Sequence, residues 1–251
     1  MLQARFSLPA DNIAPTASTI KTGAMNEGET DYASHAHHEP APGPEVTPLD
    51  FWEARYSGEE RVWSGKVNVS LVDAVADLTP GRSVDLGCGE GADVLWLAER
   101  GWQASGLDIS PTAINRARQE ADARGLGPEQ ASFAVTDLAT WQAEATYDLV
   151  GASFLHSPAP LAREQILQRA AAAVRPGGHL LVISHAAPAD PNDVAHPHAD
   201  LHHSPEDEYR ELKLDETEWT LARAGRRNRM GRKPTGEPIE VEDLIVLAQR
   251  R

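Results

Sequence analysis

From about residue 50 onward, the hydrophobic positions follow two alternating rhythms. Short apolar runs at "SVDLG" (83–87), "WQASGLDI" (102–109), "ASFAVTD" (131–137), "YDLVGAS" (147–153) and "GGHLLVISH" (177–185) have the length and content of buried strands. The segments between them carry apolar residues at helical spacing instead. Gly91 to Arg100 places Val94, Leu95 and Ala98 on one face. Ser110-Pro111 sets an N-cap hydroxyl before a proline at the first helical position, Ala113, Ile114, Ala117 and Ala121 form the buried stripe, and Gly125 closes it. "PLAREQILQRAAAAV" (160–174) reads as a further helix. Upstream, Asn68 can cap a helix carrying Leu71, Val72, Val75 and Leu78, which Pro80-Gly81 ends.

Strands separated by helices of this length predict βαβ units and a parallel sheet covered on both faces. The last two runs, "EWTLARAG" (218–225) and "EVEDLIVLAQR" (240–250), are joined by too little chain for a helix, so they should pair antiparallel. Ser204-Pro205 starts one more helix before them. The expected fold is α/β: a doubly wound, mostly parallel seven-stranded sheet with helices on both faces and an antiparallel C-terminal strand pair.

Residues 1–48 break the rhythm. They are poor in large apolar residues and rich in Pro, Ala, Thr, Glu and His, so they cannot bury enough surface to offset their ordering entropy. This predicts a disordered tail ahead of one domain at 49–251, with Met25 an alternative start. "HAHH" (35–38) then belongs to a solvated tail.

The net charge of −15 argues against nucleic acid or an anionic membrane as the main partner. The basic "RRNRMGRK" (226–233) accordingly reads as an exposed loop between the last two strands. One cysteine allows neither an internal disulfide nor a Cys-based zinc cage, which suits a reducing cytoplasm. No apolar run approaches the ~18 residues of a membrane span, and the N-terminus lacks a secretory h-region. An excess of Arg over Lys with Ala-rich helices points to a high-GC bacterial genome. "HPHADLHH" (196–203) lacks the H-E-x-x-H carboxylate pattern, so it reads as a substrate loop, and no metal site is predicted.

The chemistry gathers at "VDLGCGEG" (84–91). A glycine loop between a strand and a helix aims free N–H groups and the helix dipole at a ligand. Gly87, Gly89 and Ala92 fit G-x-G-x-x-(G/A), and Asp108 lies ~20 residues on, where a carboxylate takes ribose hydroxyls. By that pattern alone an NAD(P)-dependent oxidoreductase is open. Asp85 argues otherwise: a carboxylate at the mouth of the loop repels a pyrophosphate and attracts a cation, such as an amino acid's ammonium.

These residues, with "GLDIS" (106–110), "VTDL" (135–138), "YDLVGASFLH" (147–156) and "VRPGGHLLVI" (174–183), resemble the motifs of class I S-adenosylmethionine-dependent methyltransferases. The resemblance covers roughly residues 50–251. It implies S-adenosylmethionine as cofactor and S-adenosylhomocysteine as product. It implies that Asp85 receives the methionine ammonium while Gly87, Cys88 and Gly89 let the backbone approach. Asp108 would hold the ribose hydroxyls, with Ser110 beside it, and Ile109 would lie on the adenine. Asp137 and the backbone of Leu138 would read the adenine amino edge, and Ser153 and Phe154 would face the methionine moiety. Gly91 reads as a helix-packing glycine. Cys88 reads as a small loop residue, because Asp85 and Glu90 disfavour its thiolate.

Substrate identity lies elsewhere. "FWEARYSGEERVWSGKVN" (51–68) resembles the aromatic lid of the thiopurine- and tellurite-resistance-type methyltransferases, with Trp63 assigned to the cofactor site. Trp52 and Tyr56 fit core packing equally well. His156, just past the fourth strand, and His185, just past the fifth, are candidate general bases, His156 first. The expected acceptor is a small molecule, such as a thiol or another soft nucleophile. A non-catalytic cofactor-binding module is the third reading, although no cofactor motif is broken.

Overall fold

The structure, a computed structural model, describes residues 46–58, 60–186, 204–232 and 238–251. Seven strands form one sheet, β1 (Arg82–Leu86), β2 (Gln103–Asp108), β3 (Ala131–Val135), β4 (Tyr147–Ser153), β5 (Val174–His185), β6 (Trp219–Arg232) and β7 (Pro238–Arg250), in the order β3-β2-β1-β4-β5-β7-β6. The first five pair in parallel; β7 runs antiparallel to β5 and β6 antiparallel to β7. The helices are α1 (Pro48–Tyr56), α2 (Val69–Val75), α3 (Ala92–Ala98), α4 (Pro111–Ala123), α5 (Arg163–Ala173) and α6 (Pro205–Glu211).

Strand alternation sorts the core into two layers. Leu181 and Ile183 of β5 face one side with Leu71, Val75, Val94, Leu95 and Ile114 from α2, α3 and α4. Leu180 and Val182 face the other with Val84, Leu86 and Val150, under Ile166, Leu167 and Ala170 of α5. The predicted caps form: Asn68 Oδ1 accepts from Ser70 N, and the hydroxyls of Ser110 and Ser204 accept from Ala113 N and Asp207 N.

One helix went unpredicted and two local expectations are corrected. The lid segment opens with a helix, α1, capped by Thr47 and started by Pro48, which the aromatic clustering hid. Helix α5 begins at Arg163, not Pro160, where Ala162 offers no side-chain cap. The basic stretch 226–232 is strand, not loop. Its charges are paired, two of them in solvent and one buried: Arg226 with Glu242, Arg227 with Asp73 and, buried, Arg229 with Asp243. A charged outermost strand also discourages edge-to-edge association. The "HAHH" and "HPHADLHH" stretches and residues 1–45 lie outside the described residues. Among the described residues, no helix is long and apolar enough to cross a membrane.

Candidate active site

The carboxyl ends of β1, β2, β4 and β5 open onto a cavity of about 300 Å³, the position where open α/β sheets bind ligands. The glycine loop forms one wall. Gly87 and Cys88 donate their N–H groups to Leu107 O at 2.8 and 3.0 Å, tying the loop to β2. Gly87 and Gly89 both have positive φ, and a Cβ on Gly89 would lie 3.0 Å from the Tyr56 hydroxyl and 3.1 Å from Trp63 Nε1. Gly91 meets only packing atoms, Phe133 and Ala117, as expected of a helix–strand contact. Cys88 sits over Gly106, where a Cβ would come 2.7 Å from its sulfur. Burial pushes the Cys88 thiol up, then Asp108 and Asp85 push it further, so it stays protonated. Asp108, rather than the expected Glu90, joins Asp85 in that role.

Three carboxylates converge behind the loop. Asp108 Oδ2 accepts from Gly89 N at 2.8 Å and its Oδ1 from Ser110 N at 2.9 Å. Asp93 Oδ1 accepts from Asn68 N at 2.7 Å. Asp85 is buried, and its Oδ1 has no hydrogen-bond partner among the described residues. Burial raises all three above the ordinary carboxylate range. Asp93 reaches about 6, and Asp85 is pushed well up by burial and then by Asp93 and Asp108. A cavity lined by acids that repel one another is prepared for a cation.

A strap crosses the opposite side. Trp63 Nε1 donates to the Tyr56 hydroxyl at 2.8 Å, holding both rings over Gly89. The Glu90 carboxylate takes the N–H groups of Trp63 at 3.1 Å and Val62 at 3.4 Å. Arg116 of α4 pairs with Glu90 at 2.9 Å and also donates to the carbonyls of Glu60 and Gly58. Glu53 of α1 accepts from the hydroxyls of Ser110 and Thr112, and Trp52 Nε1 donates to Ser157 Oγ at 3.1 Å. The N-terminal segment is thus fastened to α4 and to the loop after β4.

Residues 84–178 match the family model of a methyltransferase domain. A 2-heptyl-1-hydroxyquinolin-4(1H)-one methyltransferase of Mycobacteroides abscessus is 36% identical over 163 residues, spanning 59% of this chain and 70% of its own. The chain belongs to the class I S-adenosylmethionine-dependent methyltransferases. Among solved structures, one from work on converting a disulfide bond into a thioacetal group during echinomycin biosynthesis is 29% identical. Its TM-score is 0.60, with 80% of this chain and 92% of that one covered. TehB from Haemophilus influenzae shares the fold at 17% identity and TM-score 0.59, covering 81% and 67%.

The methyltransferase uses S-adenosylmethionine, and the cavity fits it. An unpaired buried carboxylate oxygen on Asp85 suits an ammonium, and two positive-φ glycines permit close backbone approach. Trp63, Asp85, Gly87, Cys88, Gly89, Asp108, Ile109, Asp137, Leu138, Ser153 and Phe154 all line the cavity, as do His156 and His185. Ser110 does not. It is fully buried, donates to Glu53 and caps α4, so its work is to fasten α1. Sequence reasoning missed Asp93, Glu90, Arg116 and Glu53. Only Glu90 carried a signal, as a charge enclosed between two glycines of the loop.

Proposed function

We propose that the domain at 49–251 transfers a methyl group to a flat, apolar small-molecule acceptor bearing an acidic O–H or S–H. Asp85 receives the cofactor's ammonium, Asp108 its ribose hydroxyls, and Ile109, Asp137 and Leu138 its adenine. The observation that carries this reading is the buried three-acid cluster with an unpaired Asp85 oxygen. It welcomes a cationic amino-acid end and repels a pyrophosphate, which disfavours the nicotinamide reading. Thermal-shift screening is expected to show stabilisation by S-adenosylhomocysteine and none by NAD(P). The reverse pattern would overturn the assignment.

The cofactor supplies a methyl group already activated on a sulfonium. The chain's residues then have to align the acceptor, exclude water and take its proton. Phe51 and Trp52 from α1 and Pro158, Pro160 and Leu161 after β4 line the same cavity, walls suited to a planar apolar body. The relative named for a hydroxyquinolinone supports that acceptor class. We assign the proton to the His156 ring; the residue is half-buried and lines the same cavity, its backbone N–H donating to Phe154 O at 2.7 Å. His156→Gln is expected to lower kcat about 10²-fold for a phenol-type acceptor and to flatten the rise of rate with pH. An aromatic thiol, ionised on its own, should lose far less. Equal losses for both acceptors would remove His156 from the role.

A further inference from the structure

Asn68 lines the cavity and is only 7% exposed. Its Oδ1 caps α2, accepting from Ser70 N at 2.9 Å. A backbone N–H can only donate, so this bond settles which end of the amide is oxygen. The nitrogen end, Nδ2, has no hydrogen-bond partner among the described residues. Capping alone does not call for an amide. Thr47, Ser110 and Ser204 cap α1, α4 and α6 with hydroxyls, which leave no such donor behind. A buried donor with nothing to donate to destabilises a fold, so what meets Nδ2 matters.

The place of Asn68 narrows the answer. Its backbone N–H donates to Asp93 Oδ1 at 2.7 Å, and Asp93 lies near enough to Asp85 to push that carboxyl up. Ser70, two residues on, donates its hydroxyl to Asp243 of β7 at 3.2 Å, which pins the start of α2 to the sheet. Asn68 is therefore a fixed neighbour of the acids suited to an ammonium. In an α-amino acid the ammonium and the carboxylate hang from one carbon. A site that takes the first must present donors to the second close by, because Asp85, Asp93 and Asp108 would otherwise repel it. Two cations also line the cavity, but Lys66 is exposed, and Arg55 is half-buried with its guanidinium 5.5 Å from the Trp63 ring centroid. Asn68 stands buried beside the acids. We propose that Asn68 Nδ2 donates to the α-carboxylate of the cofactor's amino-acid end, so that Asn68 makes the site select S-adenosylmethionine over its decarboxylated form. The assignment rests on the reading above that Asp85 takes the ammonium.

Titration calorimetry of the full chain with two ligands reads this directly. One is S-adenosylhomocysteine; the other is decarboxylated S-adenosylhomocysteine, which keeps the amine, the thioether and the adenosine. Wild type should bind the first more tightly. Asn68→Ser keeps a capping hydroxyl and removes the amide, so the ligand-free melting temperature should hardly move. It should weaken S-adenosylhomocysteine about 10- to 100-fold, the loss expected for one hydrogen bond to a charged group, and leave the decarboxylated ligand within about twofold. Asn68→Asp, which also caps, should reverse the preference, since a carboxylate there repels a carboxylate and attracts an amine. Asp85→Asn should weaken both ligands, because both carry the ammonium. Equal losses for the two ligands in Asn68→Ser, or no loss for either, would overturn the assignment and leave the ammonium reading standing. A carboxylate-selective loss in Lys66→Met but not in Asn68→Ser would overturn it too, moving the carboxylate to Lys66. Failure of wild type to bind S-adenosylhomocysteine, or an Asp85→Asn variant that binds the decarboxylated ligand normally, would overturn the ammonium reading and this assignment with it.

Discussion

Asp85→Asn is expected to weaken S-adenosylhomocysteine binding by about 10²- to 10³-fold and, at the same time, to raise the melting temperature of the ligand-free protein. Both effects come from one charge. Asp85 is buried and its carboxyl is pushed well up by burial, then by Asp93 and Asp108. Breaking a buried ion pair costs about 3–5 kcal/mol, which sets the size of the binding loss. In the ligand-free state the carboxylate has no such partner among the described residues, so an amide of the same shape relieves repulsion. The sign with pH follows by linkage. A carboxyl whose folded pKa is raised binds more protons folded than unfolded, so stability falls as pH rises through the gap. For Asp93 that gap runs from 3.8 to about 6, and Asp85 and Asp108 are raised in the same direction. The ligand-free wild type should therefore lose stability from mildly acid to neutral pH, and the Asn variant should lose less. Cofactor affinity should fall as the medium is acidified, because protonated acids attract no ammonium. Calorimetric titration and melting curves at roughly pH 5 to 8 check all of this; wild-type affinity in the variant would end Asp85's role.

What the sequence revealed and what it hid divide along a physical line. The sheet was legible because strand and helix periods alternate cleanly: Val84 and Leu86 enter one core layer, and Leu181 and Ile183 enter the other. That Asp85, Asp108 and the glycines meet at one cavity was legible because their placement is local, set by a turn and its own strand ends. The fastenings were not. Glu90 meets Arg116, Glu53 meets Ser110, and Arg229 meets Asp243 across gaps of 26, 57 and 14 residues, and a linear pattern holds no record of such encounters. That is also why 226–232 looked like a loop. Its arginines imply solvent until Asp73, Glu242 and Asp243 are placed opposite them. Ser110 shows the converse error: its place in the motif suggested a ligand contact, while its hydroxyl is committed to Glu53 and the cap of α4.

Arg116→Met is expected to destabilise the protein by about 3 kcal/mol and to speed release of bound S-adenosylhomocysteine. The Glu90 carboxylate is 2% exposed, and Arg116 is its cationic partner at 2.9 Å. Without the guanidinium, a buried carboxylate keeps, among the described residues, only the N–H groups of Val62 and Trp63, one of them at 3.4 Å. Arg116 also holds the carbonyls of Gly58 and Glu60, so the strap loses these contacts too and keeps only the Arg61–Glu120 pair as a side-chain link to α4 among the described residues. Trp63 and the Tyr56 hydroxyl it bonds then lose their fixed place over Gly89, opening the cofactor's cover. Stability and cover can be separated. Adding Glu90→Gln removes the stranded charge, so the double variant should regain most of the stability while cofactor release stays fast and the strap stays open to protease. If the double variant instead restored slow release, the strap would be closed by its aromatic contacts alone. The Glu90–Arg116 pair would then serve stability and nothing more.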